Sequence, residues 1–302
     1  MGAARLLRGL SSRSDPRDLT VIVNTADDED FFGLHVSPDL DTVLYTLAGV
    51  VSPRQGWGLR DDTFRCLGRL GLLYGAAWFQ LGDADLATHI YRTDRLRGGH
   101  SLTAVTAALA RAHGLRTTVL PMTDAAVRTF VTVAGQGALP FQRYLVRGRG
   151  RGRVTRIAVR GARRAQPAPG VLAALRAATF IIVPPSNPLV SIGPILAIPG
   201  VRTALRRATA RIAAVSPIVA GAPIKGPLHR MLRGLGHEVS PVGVARLYRD
   251  FVDVFVLDRR DAALAAQVAA LGMRPVVTDT VMTTPAKSRA LAATVLDALQ
   301  HS

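Results

Sequence analysis

Six acidic residues, Asp27, Asp28, Glu29, Asp30, Asp39 and Asp41, crowd into the stretch NTADDEDFFGLHVSPDLDT of a chain whose formal net charge is +17. Carboxylates gathered this closely suit a divalent metal that holds an anionic substrate. Hard cations such as magnesium take one or two carboxylates and complete their shell with substrate phosphates. A structural reading competes with the chemical one. Ser37 followed by Pro38 suits a helix start, and first-turn carboxylates favour the positive end of the helix dipole. Capping accounts for one or two of the acids and leaves the Asp27–Asp28 pair at the end of an apolar run unexplained.

Three other stretches carry possible chemistry. In PSNP (185–188), Ser186 and Asn187 offer hydrogen bonds to a nucleotide on a turn stiffened by prolines, although by itself such a tetrapeptide is an ordinary turn. In GAPIKGP (221–227), Lys225 stands before a helix start, where an anion is welcome; the G-K-[ST] ending of a P-loop is absent, and a plain surface lysine is the competing reading. His89 and His100 flank IYRTDRLRGG without zinc spacing.

The elements that must position these groups alternate. Apolar, β-branched runs at 19–23, 117–120, 179–183, 211–216, 253–257 and 274–278 are separated by amphipathic stretches such as 101–114, 226–236, 260–272 and 285–299. That order predicts an α/β fold, a parallel sheet with helices on both faces. Residues 127–163 break the rhythm: VRTFVTVAGQGALPFQRYLV and VTRIAVRG read as strands without a helix between them, a small antiparallel insertion. Its connector RGRGRGR (147–153) reads as a flexible basic loop, with a solvated hairpin tip favoured over a phosphate grip.

Composition bounds the rest. With 302 residues, 48% of them apolar, the chain can bury a sizeable core, and it reads as one α/β domain over 1–302. The single cysteine, Cys66, excludes an internal disulfide and a cysteine-rich zinc site and fits a cytoplasmic protein. No apolar run reaches the roughly 20 residues of a spanning helix, so no membrane association is expected. The start, MGAARLLRGLSSRS, has the composition of a transit peptide, and Leu6 stands where a myristoylation signal wants Ser or Thr. Aromatics make up 5% and the arginines are scattered through helices, which argues against nucleic acid; the charge reads as solubility plus attraction for small polyphosphates.

VNTADD, GLHVSPDLDTVLYTLAG, GWG, LGDADLATHIYRTDRLRGG, LTAVT, LPMTD, PSNPLVSIGPIL and VSPIVAGAPIKGP run in order over nearly the whole chain. Together they resemble the 2-phospho-L-lactate transferase family (CofD, called FbiA in mycobacteria) of coenzyme F420 biosynthesis. The resemblance implies a Rossmann-like core and a magnesium-dependent homodimeric transferase. Such enzymes move a phospholactyl or phosphoenolpyruvyl group from a guanosine diphosphate donor to the ribityl hydroxyl of the deazaflavin Fo, releasing GMP and forming coenzyme F420-0 or its dehydro form. The Ala- and Arg-rich composition resembles that of high-GC actinobacteria, where the enolpyruvyl donor is expected.

Carried onto this sequence, the resemblance implies metal ligands Asp28, Asp39 and Asp41, with Asp41 also orienting the attacking hydroxyl. It implies Fo contacts from Asp41, Trp57, Asp83 and His89, and nucleotide or phosphate contacts from Gly2, Asn24, Ser186, Asn187 and Lys225. Trp78 and Phe79 are weaker stacking candidates than Trp57, which stands between two glycines.

Departures matter too. The family opens with a strand and a Gly-rich turn, and Gly2, Ala3, Ala4 and Arg5 match only the second half of that turn, so an N-terminal strand is missing and is expected upstream of Met1. Ala84 replaces a usual basic residue in GDADLATH, and Pro184 a common glycine. The alternatives are a nucleotide-sugar-binding regulator of the related YvcK type, without transferase activity, and an inactive binding remnant. SPDLDTVLYTLAG and GDADLATH favour the enzyme.

Overall fold

Runs of β-branched and small apolar residues build a four-stranded parallel sheet in the order Arg274–Thr278, Val254–Asp258, Arg211–Val215, Phe180–Val183. The structure is a computed structural model that describes residues 2–75 and 77–301, so Met1 lies outside it. All five residues of Val254–Asp258 are buried, as expected of a strand covered on both faces. Period-two alternation sorts the side chains: Ala213, Val215, Val254 and Val256 face one core, and Ile212, Ala214 and Phe255 the other. The first core is roofed by the helices Gly2–Ser11 and Pro285–Gln300, the second by helices that include Leu228–Gly234 and Pro241–Tyr248.

The strands Thr20–Val23 and Thr118–Pro121 form a separate parallel pair, packed on the helices Pro38–Leu47 and Leu102–Ala112. The expected single parallel sheet is therefore two, joined by a core that brings Leu120 and Met122 against Val183 and Ile212. Among the described residues, no helix is long and apolar enough to cross a membrane.

Within 127–163 the strands Gly137–Pro140, Arg128–Val133 and Val154–Arg160 form an antiparallel sheet. The stretch FQRYLV is not a strand. Residues Arg143–Arg147 wind into a π-helical turn whose Tyr144 ring is buried and whose hydroxyl donates to the Gly150 carbonyl at 3.0 Å. The connector is also more fixed than its composition suggests. Gly150 has φ +60°, a Cβ there would lie 2.9 Å from Pro227, and Arg230 Nη1 donates to its carbonyl at 2.9 Å.

One contact between the two roofing helices has a testable consequence. A Cβ on Gly9 would lie 2.2 Å from the Ser288 carbonyl oxygen and 3.1 Å from the Ala292 Cβ, so the helices meet there backbone to backbone. Gly9→Ala is expected to cost about 1–3 kcal/mol by overpacking, despite the better helix propensity of alanine. Arg8→Ala, on the exposed side of the same helix, should stay within about 0.5 kcal/mol. Thermal melts of the two variants decide it.

Candidate active site

Ligands of parallel α/β sheets gather beyond the carboxyl ends of the strands, and Thr20–Val23 delivers Asn24, Asp27 and Asp28 there. The acidic run is not a free loop. Glu29–Phe31 pairs antiparallel with Leu34–Val36, turning at Phe32 and Gly33 with φ of 52° and 77°, and this hairpin returns the chain to Ser37 and the helix Pro38–Leu47. Ser37 does not cap that helix. Its hydroxyl donates instead to Asp28 Oδ2 at 2.8 Å, which also faces His35 Nε2 at 3.0 Å.

Asn24 ties the two acidic clusters together. Its Nδ2 donates to Asp39 Oδ2 at 3.0 Å and to the Val190 carbonyl at 3.4 Å, while its Oδ1 accepts from the Ala26 amide at 2.9 Å. The amide is used within the protein, where Asn24 positions Asp39. Burial first, and then the charge of Asp39, push the Asp27 carboxyl well above its ordinary value. Burial also raises the Asp39 carboxyl, against the hydrogen bond from Asn24. Asp27 Oδ1 and Asp28 Oδ1 are buried without a hydrogen-bond partner.

Asp41 is elsewhere engaged. Arg92, 1% exposed, grips it with both terminal nitrogens, Nη1 to Oδ2 at 3.2 Å and Nη2 to Oδ1. Burial by itself would lower the Arg92 pKa, and the Asp41 charge and hydrogen bond outweigh it, leaving Arg92 above its ordinary value. Arg92 Nη1 also lies 3.4 Å from the His35 carbonyl and 3.3 Å from His89 Nδ1. His89 Nε2 faces Asp85 Oδ2 at 3.4 Å, and Tyr45 donates to Asp85 Oδ1 at 2.6 Å.

Asp28, Asp39 and Asp41 are thus not brought together as one ligand set. Among the described residues, no three His, Cys, Asp or Glu side chains are grouped to hold a metal ion. The chemistry that fits a hard cation is instead the neighbourhood of Asp27, Asp28 and Asp39. Two orphaned carboxylate oxygens and two carboxyls pushed up by burial would be satisfied by one positive charge, with substrate phosphates completing its shell.

The residues expected to meet a flat acceptor divide. Trp57 lines a 370 Å³ cavity with Arg54, Arg60, Phe64 and Asp85. His89, 1% exposed, stands in the network behind Asp85. Asp83 is a helix cap: its carboxylate accepts from the amides of Arg65 and Cys66 at 2.9 Å and from Thr63 Oγ1 at 2.5 Å. Asp62 does the reciprocal service, accepting from the amides of Ala84 at 2.8 Å and Asp85 at 3.0 Å at the start of the helix Asp85–Arg97. Phe79 stacks on Phe31 at 4.1 Å and Trp78 meets it edge-on at 5.0 Å, so this pair belongs to a small aromatic core.

The helix Gly2–Ser11 begins against the PSNP turn, where a Cβ on Gly2 would lie 2.3 Å from the Pro185 carbonyl oxygen. Asn187 holds its own turn, accepting from the Leu189 amide at 2.9 Å and donating to Met231 Sδ at 3.4 Å. Ser186 sits half-buried in that turn, and Lys225 is exposed ahead of the helix Leu228–Gly234.

Sequence reasoning named Asp27 among the crowded acids without placing it in the metal set, and passed over Asp62 and Arg92. For Arg92 a signal existed: Asp85, His89 and Arg92 are spaced i, i+4 and i+7 on one helix face, a polar stripe where an apolar one would pack.

Comparison with known proteins finds relatives over the whole chain. A family model described as 2-phospho-L-lactate transferase CofD matches residues 1–297. A phosphoenolpyruvate transferase of Streptomyces griseus is 45% identical over 279 residues, 91% of this chain and 88% of that protein. A 2-phospho-L-lactate transferase of Methanosarcina acetivorans is 42% identical over 291 residues, 96% of this chain and 94% of that one. The crystal structure of a upf0052 family member from Bacillus halodurans superposes with a TM-score of 0.66, covering 98% of this chain and 96% of the other at 16% identity, a likeness of fold.

Proposed function

We propose, since the chain belongs to the 2-phospho-L-lactate transferase CofD family, that this transferase moves a phosphoenolpyruvyl or 2-phospho-L-lactyl group from a guanosine diphosphate donor to the ribityl hydroxyl of Fo. The acceptor hydroxyl forms a bond to the phosphorus that carries the lactate or enolpyruvate 2-oxygen. The bond from that phosphorus to the bridging oxygen breaks, GMP leaves with the oxygen, and the hydroxyl proton is released. Displacements of this kind depend on alignment and charge neutralisation more than on covalent catalysis.

The observation that carries the reading is the pair of partnerless buried oxygens on Asp27 and Asp28 beside the raised carboxyls of Asp27 and Asp39. One or two of these carboxylates would hold magnesium, with substrate phosphates completing its shell, and the ion would supply neutralisation of the diphosphate. Asn24 fixes Asp39 in the cleft, and Ser37 with His35 fixes Asp28. The PSNP turn, with the start of the helix Gly2–Ser11 against it, faces the donor with Ser186 and backbone amides, and Lys225 stands beyond it. Trp57, over the 370 Å³ cavity, takes the flat ring of the acceptor. Asp41 is not a metal ligand here; it keeps Arg92, and through Arg92 the His35 backbone, in place behind the cleft.

The donor is expected to carry the enolpyruvyl group, in keeping with the name of the Streptomyces griseus relative. Purified protein mixed with Fo and each donor in turn, with product followed by mass, decides both points. Faster formation of the dehydro product is the expected result. Folded protein that forms product with neither donor would overturn the reading in favour of a binding protein.

A further inference from the structure

The positive charge of this protein is not spread over the chain. Between Asp124 and Glu238 lie 113 residues with eighteen Lys and Arg and not one Asp or Glu, while the rest of the chain holds twenty Lys and Arg against twenty-one Asp and Glu. One contiguous piece therefore accounts for the whole net charge of +17.

The fold sets that piece against the acidic cluster. It supplies the PSNP turn that receives the start of the helix Gly2–Ser11, and the Val190 carbonyl that receives Asn24 beside Asp39. It also supplies Arg143, 3.5 Å from Glu29 at the rim. From the PSNP turn a continuous line of contacts leads through Asn187 and Met231 to Arg230, and from Arg230 to Gly150 in the RGRGRGR connector. Arg147, Arg149, Arg151 and Arg153 of that connector are exposed, and among the described residues none of their side chains pairs with a carboxylate. Gly150, docked under Pro227, holds this quartet in place rather than letting it trail in solvent.

We propose that the acid-free segment, with the exposed arginines of the 147–153 connector as its densest run, is an electrostatic collector that draws the anionic nucleotide donor into the cleft. It rests on the transferase reading above and adds how the donor arrives. One-signed charge beside a cleft raises association rates by about 10- to 1,000-fold at low ionic strength. A chain of this length has a radius of about 19 Å, and the Debye length is about 30 Å at 0.01 M salt and about 8 Å at 0.15 M. The connector therefore acts on the approaching donor in dilute buffer and is screened in salt. Acting at a distance rather than by contact, the four arginines govern the rate of capture and leave the rate of escape alone.

Stopped-flow association of GDP, with uncharged guanosine as the control, tests this on the full chain. For the parent, the GDP association rate is expected to fall about tenfold or more between about 0.01 and 0.3 M salt, and the guanosine rate to stay flat. A variant with Arg147, Arg149, Arg151 and Arg153 all changed to Gln, checked by thermal melt, is expected to lose several-fold in GDP association at low salt, with its salt slope reduced and its dissociation rate unchanged. An unchanged slope in that variant overturns the proposal, and so does a change confined to dissociation, which would make the connector a direct contact. Failure of the parent to bind GDP at all would instead overturn the transferase reading.

Discussion

Asp41→Asn is expected to melt far below the parent, by an amount corresponding to about 3–5 kcal/mol. The substitution keeps the shape of the side chain and still allows a helix first turn. It also removes the charge that both terminal nitrogens of Arg92 bind in a site where Arg92 is 1% exposed. An arginine cannot shed its proton to escape, so an uncompensated cation is left in the interior. The Arg92 Nε is already without a hydrogen-bond partner, and no other carboxylate lies within ion-pairing distance of it among the described residues. If Asp41 were only a first-turn acid favouring the helix dipole, the cost would be tenths of a kcal/mol to about 1 kcal/mol. The double variant Asp41→Asn, Arg92→Met separates the two accounts. Replacing a buried pair by apolar groups is often neutral, so it should recover most of the lost stability. A single variant that melts with the parent would return Asp41 to the capping role.

How far the sequence shows this arrangement depends on the range of the interaction. The parallel strands are legible because runs such as DVFVL are long enough in β-branched residues to be read locally, and Val254–Asp258 is indeed the most buried of them. FQRYLV looks equally strand-like, yet the burial of Tyr144 and its bond to the Gly150 carbonyl, six residues on, pull it into a π turn. The separation into a two-stranded and a four-stranded unit is a matter of pairing partners, which alternation does not specify.

At the site, nearness in sequence was the misleading quantity. Asp39 and Asp41 are two residues apart on one helix, which points them in different directions: Asp39 to Asn24 in the cleft, and Asp41 to Arg92, fifty-one residues on. Asp83 looks like part of a substrate motif because GDADLATH is compact. Its carboxylate is in fact spent on the amides of the helix Arg65–Tyr74, while Asp62 caps the helix that Asp83 precedes. Reciprocal caps of this kind become visible only when both helix starts are placed side by side.

The same geometry makes Asp27 the residue where stability and function part. Asp27→Asn is expected to raise the melting temperature while lowering turnover by about 100-fold or more, since magnesium placed against a diphosphate is worth several kcal/mol in the transition state and each 1.4 kcal/mol is tenfold. The stabilisation follows from burial and the charge of Asp39, which oppose ionisation of Asp27 in the folded chain and not in the unfolded one. Because the folded-state pKa lies above the unfolded one, the folded chain binds the extra proton. The contribution of this group to stability is therefore fully present below the unfolded value and is lost as pH rises through the folded value. Acidifying from neutral pH should thus favour the fold of the parent at this site, and the gain should be smaller in Asp27→Asn. Magnesium supplies an independent readout. In the parent a bound ion would relieve the repulsion between Asp27 and Asp39, so the melting temperature is expected to climb with magnesium concentration as for a ligand of the folded state. In Asp27→Asn that climb should flatten. The checks are thermal melts across pH and magnesium concentration, with turnover measured on the same preparations. A variant that melts below the parent, keeps its response to magnesium and keeps its rate would remove Asp27 from the metal site and leave the acidic pocket without the role assigned to it.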